Sequence, residues 1–100
     1  MRKIITIKDV INSKFAIKEE KGRILYECLR NLLEKNEKVV LDFKDIIAST
    51  TRFFNVSIAI LYKDFPENIV DNIEIINTNS VLNSQLEVSK NGAKEFYRIK

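Results

Sequence analysis

The chain has 100 residues, of which 45% are hydrophobic and 31% charged, with a formal net charge of +3. That is enough for one domain with a modest core, and the plentiful Ile, Leu, Val and Phe with low net charge argue against a disordered chain. Histidine is absent, which excludes the usual general base, most metal sites and any Ser-His-Asp arrangement.

Residues 4–10 are rich in β-branched side chains and read as a strand. Residues 11–17 read as a connection in which Phe15 and Ile17 tuck against the core. Residues 18–36 carry the clearest helical pattern. Leu25, Cys28, Leu29, Leu32 and Leu33 fall on one stripe, and Asn36 is a C-terminal stop. On that stripe Cys28 reads as packing rather than as a reactive thiol. Residues 39–43, VVLDF, are short, apolar and bounded by charge, so they predict a central strand covered on both faces.

A second helix is expected from Arg52 to Pro66. Phe54, Ser57, Ile58, Leu61 and Phe65 mark its buried face, Phe53 and Ile60 widen it, and Pro66 ends it. Residues 73–76 read as a third strand and 77–79 as a turn. Ser80 is expected to cap a last helix with Leu82, Leu86, Ser89, Ala93 and Phe96 on one face. Gly92 weakens that helix by about 1 kcal/mol relative to Ala, so a break or fraying is expected there. The order β-α-β-α-β-α predicts a single α/β domain over residues 1–100, with helices packed against a mostly parallel or mixed sheet.

Ser49, Thr50 and Thr51 stand where the second helix begins. Backbone N–H groups are unpaired at such a point and the dipole favours negative charge. One hydroxyl suffices for a cap, worth about 1 kcal/mol. Three in a row exceed that need and suggest a contact or a phosphate acceptor as well. Arg52 opposes the dipole unless something anionic lies near; Asp45 or a partner carboxylate would serve. Asp42, at the end of the buried strand, is placed to bond turn N–H groups and support the loop. Asn55, one turn into the helix, faces a partner or bonds back to the turn.

These segments resemble the STAS-like proteins of bacteria, the DUF4325 group, which are small relatives of the STAS domains of anti-sigma-factor antagonists. The resemblance is carried by IKDVINSKFAI, ILYECLRNLLEKNEKVVLDF and the helix from FFN to LY, and covers residues 4–79. It implies a STAS-like domain and a partner of the GHKL type, an ATP-binding protein or serine/threonine kinase. In anti-sigma-factor antagonists an Asp-Ser-Ser-Gly turn follows the buried strand, and a kinase phosphorylates one of its serines. Counted without gaps from Asp42, Thr50 falls on the aspartate, Thr51 on the first serine, Arg52 on the phosphoserine and Phe53 on the glycine. Arg52 cannot accept a phosphate; a shift of one residue puts Thr51 on the acceptor.

The function expected is therefore a non-enzymatic regulatory module that binds a protein partner through Ser49, Thr50, Thr51, Arg52 and Asn55. Thr51 or Thr50 is the candidate phosphoacceptor, and no metal or cofactor is called for. The alternative is a nucleotide or anion bound at the same helix N-terminus, although the turn lacks a glycine-rich loop. Self-association through a sheet edge or the last helix is a third reading.

The setting expected is cytoplasmic and reduced, since Cys28 is the only cysteine. No run is apolar enough for a membrane span, and Lys8 and Asp9 interrupt the N-terminal stretch too early for a signal peptide. Basic residues gather at the two ends, from Arg2 to Arg23 and at Lys90, Lys94, Arg98 and Lys100. The tyrosines are scattered and no recognition helix accompanies that charge, which argues against nucleic acid.

Overall fold

A computed structural model describes residues 2–98; of the basic tail, Lys100 lies outside the described residues. The elements are β1 (Arg2–Thr6), α1 (Ile7–Ile11), β2 (Phe15–Ala16), α2 (Glu19–Glu34), β3 (Lys38–Asp42), β4 (Ala48–Ser49), α3 (Thr51–Ser57), α4 (Leu61–Asp64), α5 (Glu67–Asp71), β5 (Glu74–Ile76) and α6 (Ser80–Arg98). The main sheet has three strands in the order β1-β3-β5, all parallel. A second, two-stranded sheet pairs β2 with β4, also parallel. The chain is thus α/β with parallel sheets, as the alternating pattern predicted.

The strand expected over residues 4–10 stops at Thr6. Ile7 and Ile11 are both buried, and one helical turn keeps them within about 6 Å of rise on one face, where an extended chain would set them about 13 Å apart along its axis. Asn12 ends that turn with φ 53°, a left-handed conformation that asparagine tolerates. The connection that follows contains β2. There the expectation for Phe15 and Ile17 is corrected: they are 51% and 41% exposed, and Ala16 between them is buried.

In α2, Leu25, Leu29 and Leu33 are buried and Cys28 is half-buried on the same side. Asn36 stands just beyond the helix with φ 61°. β3 is central, and Val39, Val40 and Leu41 are all buried. Its two sides are nevertheless unlike. Val39, Leu41 and Phe43 join the helix-packed core, whereas Val40 does not. Two right-handed crossovers stepping the same way across β1-β3-β5 put their helices on one face. Val40 lies on the other face, between Ile4 and Glu74. Arg2 on β1 reaches over β3 to both carboxylate oxygens of Glu74 on β5, at 3.1 and 3.2 Å. Val40 is 1% exposed, so the central strand is covered on both faces as its sequence indicates, although the helices lie on one of them.

The long helix expected from Arg52 to Pro66 is two helices. Ser57 Oγ donates back to the Phe53 carbonyl at 2.8 Å, a contact that bends helices. The Phe54 carbonyl then accepts from both Ile58 N at 3.1 Å and Ala59 N at 2.9 Å, so the turn widens and the helix stops. α4 resumes at Leu61. Pro66 ends the chain's approach to α5 and precedes its first residue. At α6 the cap is Asn79, not Ser80: Asn79 Oδ1 accepts from Leu82 N at 2.9 Å. The helix runs through Gly92 without a break to Arg98. Leu82, Leu86 and Ser89 are buried as expected, but Phe96 is 60% exposed.

Candidate functional site

The segment from Ser49 to Asn55 joins β4 to α3. It is held in place from three directions: by β2, by α2 and by α6. From β2, the Ala16 carbonyl accepts the Thr50 N–H at 3.1 Å and the Ile17 carbonyl accepts the Thr50 hydroxyl at 3.4 Å. Thr50 Oγ1 in turn accepts from Phe53 N at 3.1 Å, so Thr50 is the N-cap of α3. From α2, the close approach is made at Gly22, which faces Val56 and the Phe53 carbonyl. From α6, Gln85 and Ser89 reach the segment. Ser49 Oγ donates to Gln85 Oε1, and Ser89 Oγ donates to Asn55 Oδ1 at 2.5 Å.

The predicted site residues therefore divide. Ser49 and Thr50 are bonded inward and hold the turn. Thr51 is half-buried, and among the described residues its hydroxyl makes no hydrogen bond. It opens on a groove of about 410 Å³ between α3 and α6, shared with Asn55, Ala59, Ser89, Gly92 and Phe96. Arg52 points the other way, toward α2, with its side chain 76% exposed and Nε 3.7 Å from Glu19 Oε1. Asp45, the other carboxylate considered for Arg52, is instead bonded to Lys8 Nζ at 2.9 Å. The bond from Lys8 and its charge lower the pKa of the Asp45 carboxyl.

Asp42 supports a turn, but a different one. Its Oδ1 accepts from Lys44 N at 2.9 Å and from Asn77 Nδ2 at 2.8 Å, so it fastens the end of β3 to the residues after β5. Cys28 shows no reactive character: burial pushes its thiol up.

Sequence reasoning missed the contribution of α6 and of Gly22. Gln85 and Ser89 are four apart on a helix, and a polar pair on a face that also carries Leu82 and Leu86 was a legible sign of bonds to a neighbour. The lower part of α6 is fixed by a cluster centred on Asp71. Tyr62 donates to Asp71 Oδ1 at 2.5 Å, Lys94 lies 3.0 Å from Oδ2, and Lys90 lies 3.8 Å from Oδ1. Lys94 also stands 5.6 Å above the Tyr62 ring. Burial, with the bond to Asp71, drives the Tyr62 hydroxyl far above its usual range. Burial pushes Asp71 up as well, but the bonds from Tyr62 and Lys94 outweigh it and hold the carboxyl below the usual value.

Among the described residues no group of three His, Cys, Asp or Glu side chains could hold a metal ion, and no helix is long and apolar enough to cross a membrane. The parallel βαβ core, with a hydroxyl turn leading from a strand into the helix beside it, is consistent with a STAS-like domain. The family model described as "STAS-like domain of unknown function (DUF4325)" matches residues 21–83, more than half of the chain, and the protein belongs to that family. The matched stretch begins in α2 and ends in α6, and it contains the whole Ser49–Asn55 segment. No curated protein and no solved structure is significantly similar to the chain.

Proposed function

We propose that this protein is a non-enzymatic regulatory module that binds a protein partner through the outer side of the Ser49–Asn55 segment. The observation that carries this reading is the division of labour in the turn. Ser49 and Thr50 are bonded inward and Asn55 is bonded to Ser89 of α6, which leaves Thr51 and Arg52 on the outside of a segment fixed by three neighbouring elements. A fixed turn that presents side chains unused by the core is suited to recognition. Membership of the STAS-like family supports a regulatory role at this coarse level. A GHKL-type ATP-binding protein or serine/threonine kinase is the partner class in keeping with the resemblance to anti-sigma-factor antagonists, and the cytoplasm is the setting.

Thr51 is the better phosphoacceptor of the two threonines, since Thr50 is committed to capping. A phosphate on Thr51 would add nearly two negative charges beside Arg52 and change what the surface attracts. The nucleotide or anion reading has less support. α3 has only seven residues, and Thr50 already takes the Phe53 N–H that a bound anion would use.

The test is affinity capture from the native host with wild type and a Thr51→Ala, Arg52→Ala double variant, Thr50 being left alone to preserve the cap. Loss of one partner from the variant, with unchanged circular dichroism, is the expected result. The same partners on both would overturn the assignment. Intact mass of the protein isolated from the host tests for the phosphate.

A further inference from the structure

Beside the turn lies a groove that the reading above does not use. It measures about 390 Å³ and is lined by Asn12, Ser13, Phe15, Ile17, Lys18 and Lys21. Its floor is apolar. Phe15 on β2 and Ile17 just after it are both exposed, with buried Ala16 between them. Its rim is basic. Lys18 and Lys21 form no ion pair among the described residues, whereas Arg52 and Arg23 approach Glu19, and Lys8 holds Asp45. Lys18 and Lys21 also sit at the start of α2, a helix of sixteen residues. Glu19 and Glu20 stand in the same first turn, and Glu19 is engaged by Arg23 and Arg52. Glu20 is nearby in sequence but does not line the groove.

We infer that this groove docks an acidic protein segment in which an apolar side chain is flanked by Asp or Glu. Phe15 and Ile17 receive the apolar side chain, and Lys18 and Lys21 receive the carboxylates. The groove is continuous with the proposed partner surface, because Thr50 bonds the carbonyls of Ala16 and Ile17. The inference rests on the partner reading and names the chemistry of what that partner brings.

The test is selection of short peptides from a displayed random library against the full chain, followed by fluorescence anisotropy on synthetic copies of the enriched sequences. Enrichment of Phe, Leu or Ile flanked by Asp and Glu is expected. Binding of those peptides is expected to weaken by about tenfold or more in Phe15→Ser and in the Lys18→Glu, Lys21→Glu double variant. Both changes fall on side chains outside the core, and circular dichroism checks the fold. Absence of enrichment, enrichment without acidic residues, or equal binding by wild type and variants would overturn the inference. Cosedimentation with phosphatidylglycerol vesicles that depends on the same residues, with no peptide enriched, would make the groove a lipid contact and also overturn it. The Thr51→Ala, Arg52→Ala variant separates the two readings. If it loses the native partner yet keeps the selected peptides, both surfaces stand. If wild type and groove variants bind peptide alike while that variant still loses the partner, only the groove assignment falls.

Discussion

A side chain on Gly22 would begin 2.6 Å from Cγ2 of Val56, and 3.0 Å from the Phe53 carbonyl oxygen. A β-branched side chain cannot swing aside, and a helix carbonyl cannot move without its helix, so α2 and α3 owe their spacing to this glycine. Gly22→Ala gains about 1 kcal/mol of helix propensity but forces overpacking that costs about 1–3 kcal/mol, and a net loss of stability is expected. Gly92 is the opposite case, because a methyl added there meets nothing within 4 Å. Gly92→Ala is expected to stabilise by up to about 1 kcal/mol. Urea denaturation of the two variants should move the midpoint in opposite directions.

Thr50 and Thr51 are adjacent and chemically alike, yet their removal should differ. Thr50→Ala deletes the α3 cap and is expected to cost about 1 kcal/mol. Thr51→Ala removes a hydroxyl without a protein partner and is expected to change stability by less than about 0.5 kcal/mol. Equal losses in denaturant titrations would contradict the assignment of the cap to Thr50 alone.

The recognition of these elements from sequence succeeded where burial and local pattern agree. The stripe of Leu25, Leu29 and Leu33 and the run from Val39 to Leu41 are buried in the fold as their spacing indicates. It failed where one residue's hydrogen bond or contact overrides the pattern. Ile7 to Ile11 has strand-forming side chains, but the chain turns into a helix after Thr6 and buries Ile7 and Ile11 one turn apart. The apolar periodicity through residues 52–65 is continuous, and nothing in it announces the bond from Ser57 back to Phe53 that helps end α3. At the site, the cap at the hydroxyl turn was legible, but which threonine makes it was not, because a one-residue offset leaves the pattern unchanged. Gly22 gave no signal either, since a helix glycine is equally consistent with an empty surface and with a crossing.

Alkali should act through Tyr62, which is 6% exposed. Its pKa is raised in the folded state by burial and by Asp71. A raised folded value contributes stability that is complete below the unfolded pKa, about 10, and is lost as pH rises beyond it. Unfolding free energy is therefore expected to fall above about pH 10 in wild type, and less steeply in Tyr62→Phe. At neutral pH the same substitution removes a bond to a carboxylate and should cost about 1–2 kcal/mol.

Acid should act through Asp71 in the other direction. Its folded pKa is depressed, so its contribution is present above the unfolded value, about 4, and is lost as pH falls below it. Asp71→Asn is expected to flatten the acid limb of a stability profile measured by thermal unfolding at successive pH values.

The two ends of α6 are held by different forces. Near its start, Leu82 and Leu86 are buried, and neutral bonds run from Ser49 to Gln85 and from Ser89 to Asn55. Near its end Ala93 and Tyr97 are only partly buried against the core, and charged fastenings are added: Lys94 to Asp71 at 3.0 Å, and Arg98 to both oxygens of Glu67 at 2.6 Å. Dissolved salt weakens the second kind and spares the first. Raising ionic strength should therefore loosen the last turns of α6 while its first turns stay docked, so amide exchange along this one helix would grade from slow to fast toward Arg98.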